Sequence, residues 1–188
     1  SDVCSSDLQG QGAFEWHQDF AYFPHTNTDL VAVMVMLDDA TPDNGCMSTV
    51  RGSHEWGLLN HSVDGKFQGV CQEPARWADA ASIAQITPRT GGISIHHSLS
   101  LHGSPENASG LSRRGVVYQY RAADAYQLAG HLFLDTGYQV LGTPTADARC
   151  EAATYELPRW PDSDKRHASL GRQCGELAQR WNAERATP

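Results

Sequence analysis

The sequence predicts a mainly β protein of the sandwich or jelly-roll class. Three observations support this prediction. Short apolar runs of strand length recur along the chain, glycine and proline residues separate them, and only one stretch near the C-terminus has the spacing of an amphipathic helix. The chain has 188 residues, including 17 glycines and 9 prolines, and this length suits a single domain with a buried core.

The first half of the chain is predicted to contain three strands. Residues 14–23 are mostly aromatic and apolar, and we interpret them as the first strand. Residues 30–37 form a continuous Val-rich run, which is typical of a strand buried on both faces. Residues 38–46 have turn chemistry that includes Asn44-Gly45, a pair that favours positive φ, and residues 46–50 are a short return strand.

The second half continues the same pattern after a loop-rich insertion at residues 51–81, a length that often carries function. Further strands are predicted at residues 83–86, 92–96, 99–103 and 114–121, and an extended segment at 128–140. Residues 168–183 have helical spacing, since four side chains fall on one face: Leu170, Cys174, Leu177 and Trp181.

Composition argues against several classes of protein and partner. The chain has 14 Lys and Arg against 22 Asp and Glu, a formal charge of −8, and this balance argues against nucleic-acid or anionic-membrane partners. No apolar run approaches the roughly 18 residues that a membrane span needs. The five cysteines are widely spaced without a C-x-x-C pair, so we expect free thiols in a reducing compartment, the cytoplasm. A small molecule is the expected partner, and the oligomeric state stays open.

The N-terminal residues match a sequence that is not protein-derived. Residues 1–8, SDVCSSDL, are the in-frame translation of a common short-read sequencing adapter, and we expect them to be an artefact. Residues 9–188 are then one domain with an incomplete N-terminus, with a β core at about 12–141 and a C-terminal extension and helix at about 142–188. We expect apolar surface to be exposed where the missing N-terminal elements would pack.

Two histidines and an aspartate have the pattern of a metal site. His17 and Asp19 are two residues apart on a predicted strand and therefore point to the same face. His102 ends an apolar strand directly before Gly103 and is a third candidate ligand. Two histidines with one carboxylate form the facial triad that holds Fe(II) with open positions for oxidant and substrate. Zinc and manganese accept the same ligands, so spacing leaves the metal open.

Arg113 follows His102 by 11 residues, at the start of the next predicted strand. A guanidinium there can pair bidentately with the far carboxylate of 2-oxoglutarate. Arg113 and Arg114 alternate across the strand, and the small Gly115 follows on the Arg113 face. We therefore expect Arg113 to point inward and Arg114 outward.

Three segments together resemble the phytanoyl-CoA dioxygenase family of Fe(II)/2-oxoglutarate oxygenases. They are WHQDFAYFP at 16–24, DLVAVMVMLDDATPDNGCMSTVRGSH at 29–54 and GGISIHHSLSLHGSPENASGLSRR at 91–114. The resemblance implies a double-stranded β-helix with the metal near one mouth of the barrel. It also implies that His17, Asp19 and His102 are the iron ligands, that Arg113 anchors 2-oxoglutarate, and that the Ser104 hydroxyl assists that anchor.

We expect other polar residues in these segments to support the site without binding the metal. His96-His97 precede His102, but family members do not use this pair as ligands, so we expect a structural or supporting role. Asn107 and Ser109 are expected to fix the loop between His102 and Arg113. The chain reads Arg51-Gly52-Ser53-His54 where family members usually have PGSH, and it lacks a tryptophan near Val33 that some members carry. Both departures concern substrate and packing.

The expected reaction couples oxidative decarboxylation of 2-oxoglutarate by O2, which gives succinate and CO2, to hydroxylation of a small organic substrate such as an acyl-CoA or another metabolite. One alternative is a non-catalytic cupin-like protein that binds metal or ligand. A related halogenase is a weaker alternative, because it needs a small residue where Asp19 stands. The elements that precede the HxD strand in family members are missing here, so we do not expect this fragment itself to be active.

Overall fold

The computed structural model describes residues 13–129 and 137–159. In this part of the chain there are nine strands and only short 3-10 turns: β1 (Phe14–His17), β2 (Leu30–Met36), β3 (Ser48–Val50), β4 (Ser62–Val63), β5 (Lys66–Phe67), β6 (Ile83–Gln85), β7 (Ile93–His97), β8 (His102–Ser104) and β9 (Gly115–Arg121).

The strands form two main antiparallel sheets, in agreement with the predicted mainly β jelly-roll fold. One sheet has the order β1-β8-β3-β6 and the other the order β7-β2-β9. A small hairpin of β4 and β5 lies in the loop-rich insertion that the sequence predicted at residues 51–81. Most pairs join strands far apart in the chain, so the two sheets bring distant residues together.

The first predicted strand is much shorter than expected. β1 ends at His17, and Asp19–Ala21 form a 3-10 turn, so the prediction of a strand over 14–23 is wrong beyond His17. Gln18 explains the break because its buried side-chain amide donates to the carbonyls of Gly57 and Leu99. These contacts fix Gln18 at the end of the strand, and the backbone N–H groups of Ala21 and Tyr22 then donate to the carbonyls of Gln18 and Asp19 within the turn.

Strand β2 is buried on one face and partly exposed on the other. Leu30, Ala32 and Met36 are buried, whereas the valines between them are half-buried. The prediction of burial on both faces is therefore wrong for the outer face.

Strand β8 starts at His102, three residues later than predicted. Ser100 donates its backbone N–H to the carbonyl of His97, and the N–H of Leu101 donates to the hydroxyl of Ser53. A turn and a side-chain bond therefore replace pairing in a sheet before His102. The predicted extended segment at 128–140 falls partly on residues outside the described range, and the predicted helix at 168–183 falls wholly outside it.

Buried apolar side chains of the described residues form separate clusters. One cluster surrounds Phe20, Tyr22 and Phe67, and a second surrounds Val50 and Leu101. Among the described residues Cys46, Cys71 and Cys150 are free thiols. The same residues include no helix long and apolar enough to cross a membrane.

Candidate metal centre

His17 and His102 are brought together by direct strand pairing. His17 on β1 and His102 on β8 are cross-strand partners, and their ring centroids lie 4.3 Å apart. Each Nδ1 lies within hydrogen-bond distance of a backbone carbonyl, that of Glu15 for His17 and that of Ser100 for His102. This contact orients each ring and leaves its Nε2 directed toward the centre, as is usual for metal-binding histidines.

Asp19 completes the cluster from the 3-10 turn that follows β1. Its Oδ1 lies 3.5 Å from Nε2 of His17 and 3.6 Å from Nε2 of His102. One donor atom from each of the three residues lies within 4.8 Å of the others, and all three residues are buried. The sequence argument placed Asp19 on the strand, which is wrong, but the turn brings its carboxylate to the same place.

The electrostatics of the cluster favour the protonation states that a cation needs. Burial opposes the charge on Asp19, but the imidazoles of His102, His17 and His96 outweigh it and hold the pKa of this carboxyl well below its usual value. Burial, with the nearby imidazoles of His17 and His96, lowers the pKa of His102 to about 3. At neutral pH the site therefore offers a charged carboxylate and a neutral His102.

Gln18 and His61 hold the segment between the candidate ligands His17 and Asp19. The Gln18 side chain is fully buried, and besides its two donated bonds its Oε1 accepts from the N–H of Leu59. The backbone N–H of Gln18 donates to Nε2 of His61 at 3.1 Å. Nδ1 of His61 must then carry the proton and donate to the carbonyl of Leu59. Neither residue was identified as important from the sequence, because both anchors depend on distant loops.

Arg113 is buried just before β9, while Arg114 is exposed. The Arg113 residue is 3% exposed, and its Nε donates to the carbonyl of Asn44 at 3.1 Å. Arg114 forms two side-chain bonds to Asp38 at the surface. This is the inward and outward arrangement that alternation predicts. No carboxylate of the described residues lies within ion-pair distance of Arg113, and burial lowers its pKa.

The loop between His102 and Arg113 is fixed by its own polar side chains, as the sequence suggested. The Asn107 amide donates to the carbonyl of Leu111, and its Oδ1 accepts from the N–H and hydroxyl of Ser109. Asn44-Gly45 packs against this loop, since a Cβ at Gly45 would lie 2.6 Å from the carbonyl oxygen of Pro105. Asn44 therefore both closes its turn and supports Arg113. Ser104 is half-buried on β8 and shares the face of His102.

Two further residues contact the cluster from the opposite sheet. Gln119 on β9 donates from Nε2 to Oδ2 of Asp19 at 3.0 Å. His96 on β7 places Nε2 3.4 Å from the same oxygen, with its ring 4.5 Å from that of His102. The sequence suggested a supporting role for the His96-His97 pair, but Gln119 was missed because it lies 100 residues from Asp19 with no local motif.

Fold and site together define a jelly-roll protein with a buried two-histidine, one-carboxylate centre between its sheets. The chain belongs to the phytanoyl-CoA dioxygenase family, whose model matches residues 4–115.

Known proteins with similar sequences carry related names. The chain is 37% identical over 123 residues to the "Probable alpha-ketoglutarate-dependent hypophosphite dioxygenase" of Stutzerimonas stutzeri, covering 62% of this chain and 42% of the relative. It is 27% identical over 128 residues to the L-proline trans-4-hydroxylase of Streptomyces griseoviridis, covering 57% of this chain and 48% of the relative. The chain thus spans somewhat less than half the length of these relatives.

A solved structure supports the fold. The non-heme monooxygenase ThoJ, in its apo form, aligns over 95% of this chain and 66% of its own, with a TM-score of 0.61 and 23% identity. This likeness concerns the architecture alone.

Proposed function

We propose that the protein is a non-haem Fe(II)/2-oxoglutarate-dependent dioxygenase that hydroxylates a small substrate. The observation that carries the proposal is the convergence of His17, Asp19 and His102 within 4.8 Å in a buried position between two sheets. Membership of the phytanoyl-CoA dioxygenase family supports the same reading.

The donor set fits Fe(II). Two imidazole nitrogens and one carboxylate oxygen are the ligands of the facial triad, which leaves other coordination positions open. Low pKa values keep Asp19 charged and His102 neutral, so no proton has to be removed from either at neutral pH. When bound, the iron would supply the activation of O2 that no side chain can perform.

Arg113 supports 2-oxoglutarate as the co-substrate. A buried guanidinium without a carboxylate partner among the described residues is costly, and an anionic ligand would offset that cost. The contact from Nε to Asn44 fixes one edge of the guanidinium and leaves its terminal nitrogens for a forked contact with a carboxylate. Ser104 is proposed to assist with its hydroxyl.

The protein's own groups then bind and orient the reactants. The triad would fix the metal, Arg113 would align the co-substrate, and the enclosing sheets would exclude water from the reacting atoms. A 37% identical relative is named for hypophosphite and a 27% identical one for L-proline, and both names favour a small polar substrate over a large one. Acyl-CoA remains within the proposal because of the family.

Binding of metal and co-substrate to the 188-residue chain tests the proposal directly. Under anaerobic conditions Fe(II) followed by 2-oxoglutarate should produce the visible absorption band of a metal-chelated 2-oxo acid. His102→Ala should abolish the band, whereas the exposed-loop variant His54→Ala should retain it. A wild-type protein that folds but shows neither metal binding nor the band would refute the proposal.

Turnover separates the proposal from its alternatives. In the presence of O2 we expect succinate to form, and hypophosphite, L-proline and an acyl-CoA are the first substrates to compare. Hydroxylation that is unchanged by chloride supports the dioxygenase, whereas a chlorinated product would favour the halogenase. Metal binding without succinate formation would favour the alternative of a non-catalytic cupin-like protein.

A further inference from the structure

One row of residues crosses the inner face of the β7-β2-β9 sheet directly behind Asp19. His96 on β7 and Gln119 on β9 are both register partners of Ala32 on β2. Neighbouring strands are about 4.8 Å apart, so the backbones of His96 and Gln119 are separated by about 10 Å with Ala32 between them. Ala32 is fully buried and has only a methyl group, which leaves space for the two longer side chains to converge.

These two side chains contact one oxygen of Asp19 and leave the other to the triad. Oδ2 receives the bond from Gln119 at 3.0 Å and lies 3.4 Å from Nε2 of His96. Oδ1 faces Nε2 of His17 at 3.5 Å and Nε2 of His102 at 3.6 Å. One oxygen of the carboxylate therefore faces His17 and His102, whereas the other accepts a hydrogen bond from Gln119 and lies beside the ring of His96, whose nitrogens form no hydrogen bond in the described residues.

The orientation of the Gln119 amide follows from its surroundings. Its Oε1 is buried without a hydrogen-bond partner among the described residues. Exchanging the two amide atoms would place this oxygen against Oδ2, where two acceptors would repel each other. The amide nitrogen is thus the atom that contacts Asp19, and Gln119 acts as a donor.

We propose that Gln119 and His96 are positioning residues that keep Asp19 a one-oxygen metal ligand. This inference rests on the proposed function, because it concerns how that site holds its metal. A carboxylate that is free to rotate can chelate a cation with both oxygens and so occupy a position that the facial triad leaves open. Holding Oδ2 in the wall of the barrel prevents this rotation.

Co(II) is a suitable probe because its binding and visible spectrum are measured without turnover. In Gln119→Leu, which removes the donor at similar volume, we expect Co(II) affinity to fall about tenfold or more, as for other partners of metal ligands. We also expect the Co(II) absorption to change in position and intensity, because a two-oxygen carboxylate raises the coordination number. Ser94→Ala, on the same face of β7, is the matched control and should behave as wild type.

A second pair of variants at His96 gives an independent answer if Gln119→Leu does not fold. His96→Leu should weaken Co(II) binding and alter the spectrum, whereas His96→Gln places an amide nitrogen near the Nε2 position beside Oδ2 and should recover the wild-type spectrum. Circular dichroism and thermal melting without metal establish that each variant is folded. Wild-type affinity and spectrum in folded Gln119→Leu or His96→Leu would overturn the inference, whereas a wild-type chain that binds no Co(II) would overturn the proposed function itself.

Discussion

Arg113 is a buried cation whose surroundings suit an anionic ligand. Its guanidinium is buried beside Cys46, Asn44 supplies only a neutral carbonyl, and no acidic side chain of the described chain neutralises it. Its neighbour Arg114 is exposed and already paired with Asp38. The two arginines therefore form a natural comparison for anion binding.

Replacing Arg113 with alanine should weaken 2-oxoglutarate binding to the metal-loaded protein by about 2–4 kcal/mol, because a charge-assisted, forked contact is lost. That range corresponds to roughly 30-fold to 1,000-fold in Kd. Arg113→Lys should recover only part of the affinity, since an ammonium cannot make the forked contact. Calorimetric titration with 2-oxoglutarate measures the change. Loss of binding in Arg114→Ala, with binding retained in Arg113→Ala, would contradict the assignment.

The sequence predicted which residues meet at the centre, but it did not predict the hydrogen bonds that fix their positions. His17, Asp19 and His102 stand in a recognisable spacing, and the alternation of Arg113 and Arg114 follows from strand geometry. Gln18, His61, Asn44 and Gln119 carry no such signal. Their contacts span 39 to 100 residues of sequence and arise only once the sheets have assembled.

At the level of elements, the close pairing of β1 and β8 depends on a glycine. A Cβ at Gly103 would lie 2.9 Å from the carbonyl oxygen of Phe14 and 3.3 Å from the backbone nitrogen of Trp16. Both contacts are with the backbone of β1, so only movement of the strand can relieve them. That movement would also separate His17 from its partner His102.

Gly103→Ala should therefore destabilise the fold by about 1–3 kcal/mol and also weaken metal binding. Gly65→Ala, in the β4-β5 turn, is the matched control because its positive φ adds backbone strain while nothing lies near the new Cβ. Denaturant unfolding and Co(II) titration measure the two effects. If Gly103→Ala and Gly65→Ala lose stability equally and both keep wild-type metal affinity, close strand contact is not what sets the His17–His102 geometry.

The stability that the 3-10 turn after β1 contributes is expected to depend on pH, because His61 accepts the bond from the backbone N–H of Gln18. Burial lowers the pKa of His61 to about 4 and outweighs the hydrogen bond to the carbonyl of Leu59, which raises it; His17 lowers this pKa slightly further and Glu73 raises it slightly. The unfolded chain binds this proton near pH 6.5, and the folded chain does so only near pH 4. The contribution of His61 is therefore fully present above about pH 6.5 and is lost as the pH falls toward 4.

His61→Gln should flatten this part of the stability profile. The glutamine carbonyl can accept the bond from the N–H of Gln18 but cannot bind a proton in this range. Between pH 7 and 4 the wild type should lose up to about 3 kcal/mol more than the variant. Urea unfolding across the pH range measures the difference, and parallel profiles for the two proteins would show that His61 is not the group responsible. His102 contributes in the same direction in both proteins, so it cancels in the comparison.

The elements themselves were predicted best where the pattern is local. β2, β3, β6, β7 and β9 lie within one or two residues of their predicted bounds, because continuous apolar or alternating runs define them. β1 and β8 were predicted too long. Their ends are set by the side chains of Gln18 and Ser53, which bond to loops far along the chain.

At the scale of the whole molecule, the two faces of the β7-β2-β9 sheet differ sharply. The inner face carries Ala32, His96 and Gln119 toward the centre. The outer face alternates with it and is apolar, with Ile93 56% exposed and Ile95 61% exposed beside the half-buried Val33. Contiguous apolar surface of this kind is unusual on a monomeric soluble domain.

Charge placed on this outer face should reduce association of the 188-residue chain without harming the centre. Ile95→Lys puts an ammonium in the middle of the β7 part of the face, where it should oppose both stacking of this face on another copy and pairing along an edge. Leu111→Lys is the matched control, because Leu111 is 68% exposed but lies in the loop before Arg113 and not on the sheet. Light scattering at increasing concentration should show less association for Ile95→Lys than for wild type or Leu111→Lys, with Co(II) affinity equal in all three. An equal reduction in Ile95→Lys and Leu111→Lys would mean that net charge, rather than this face, governs association.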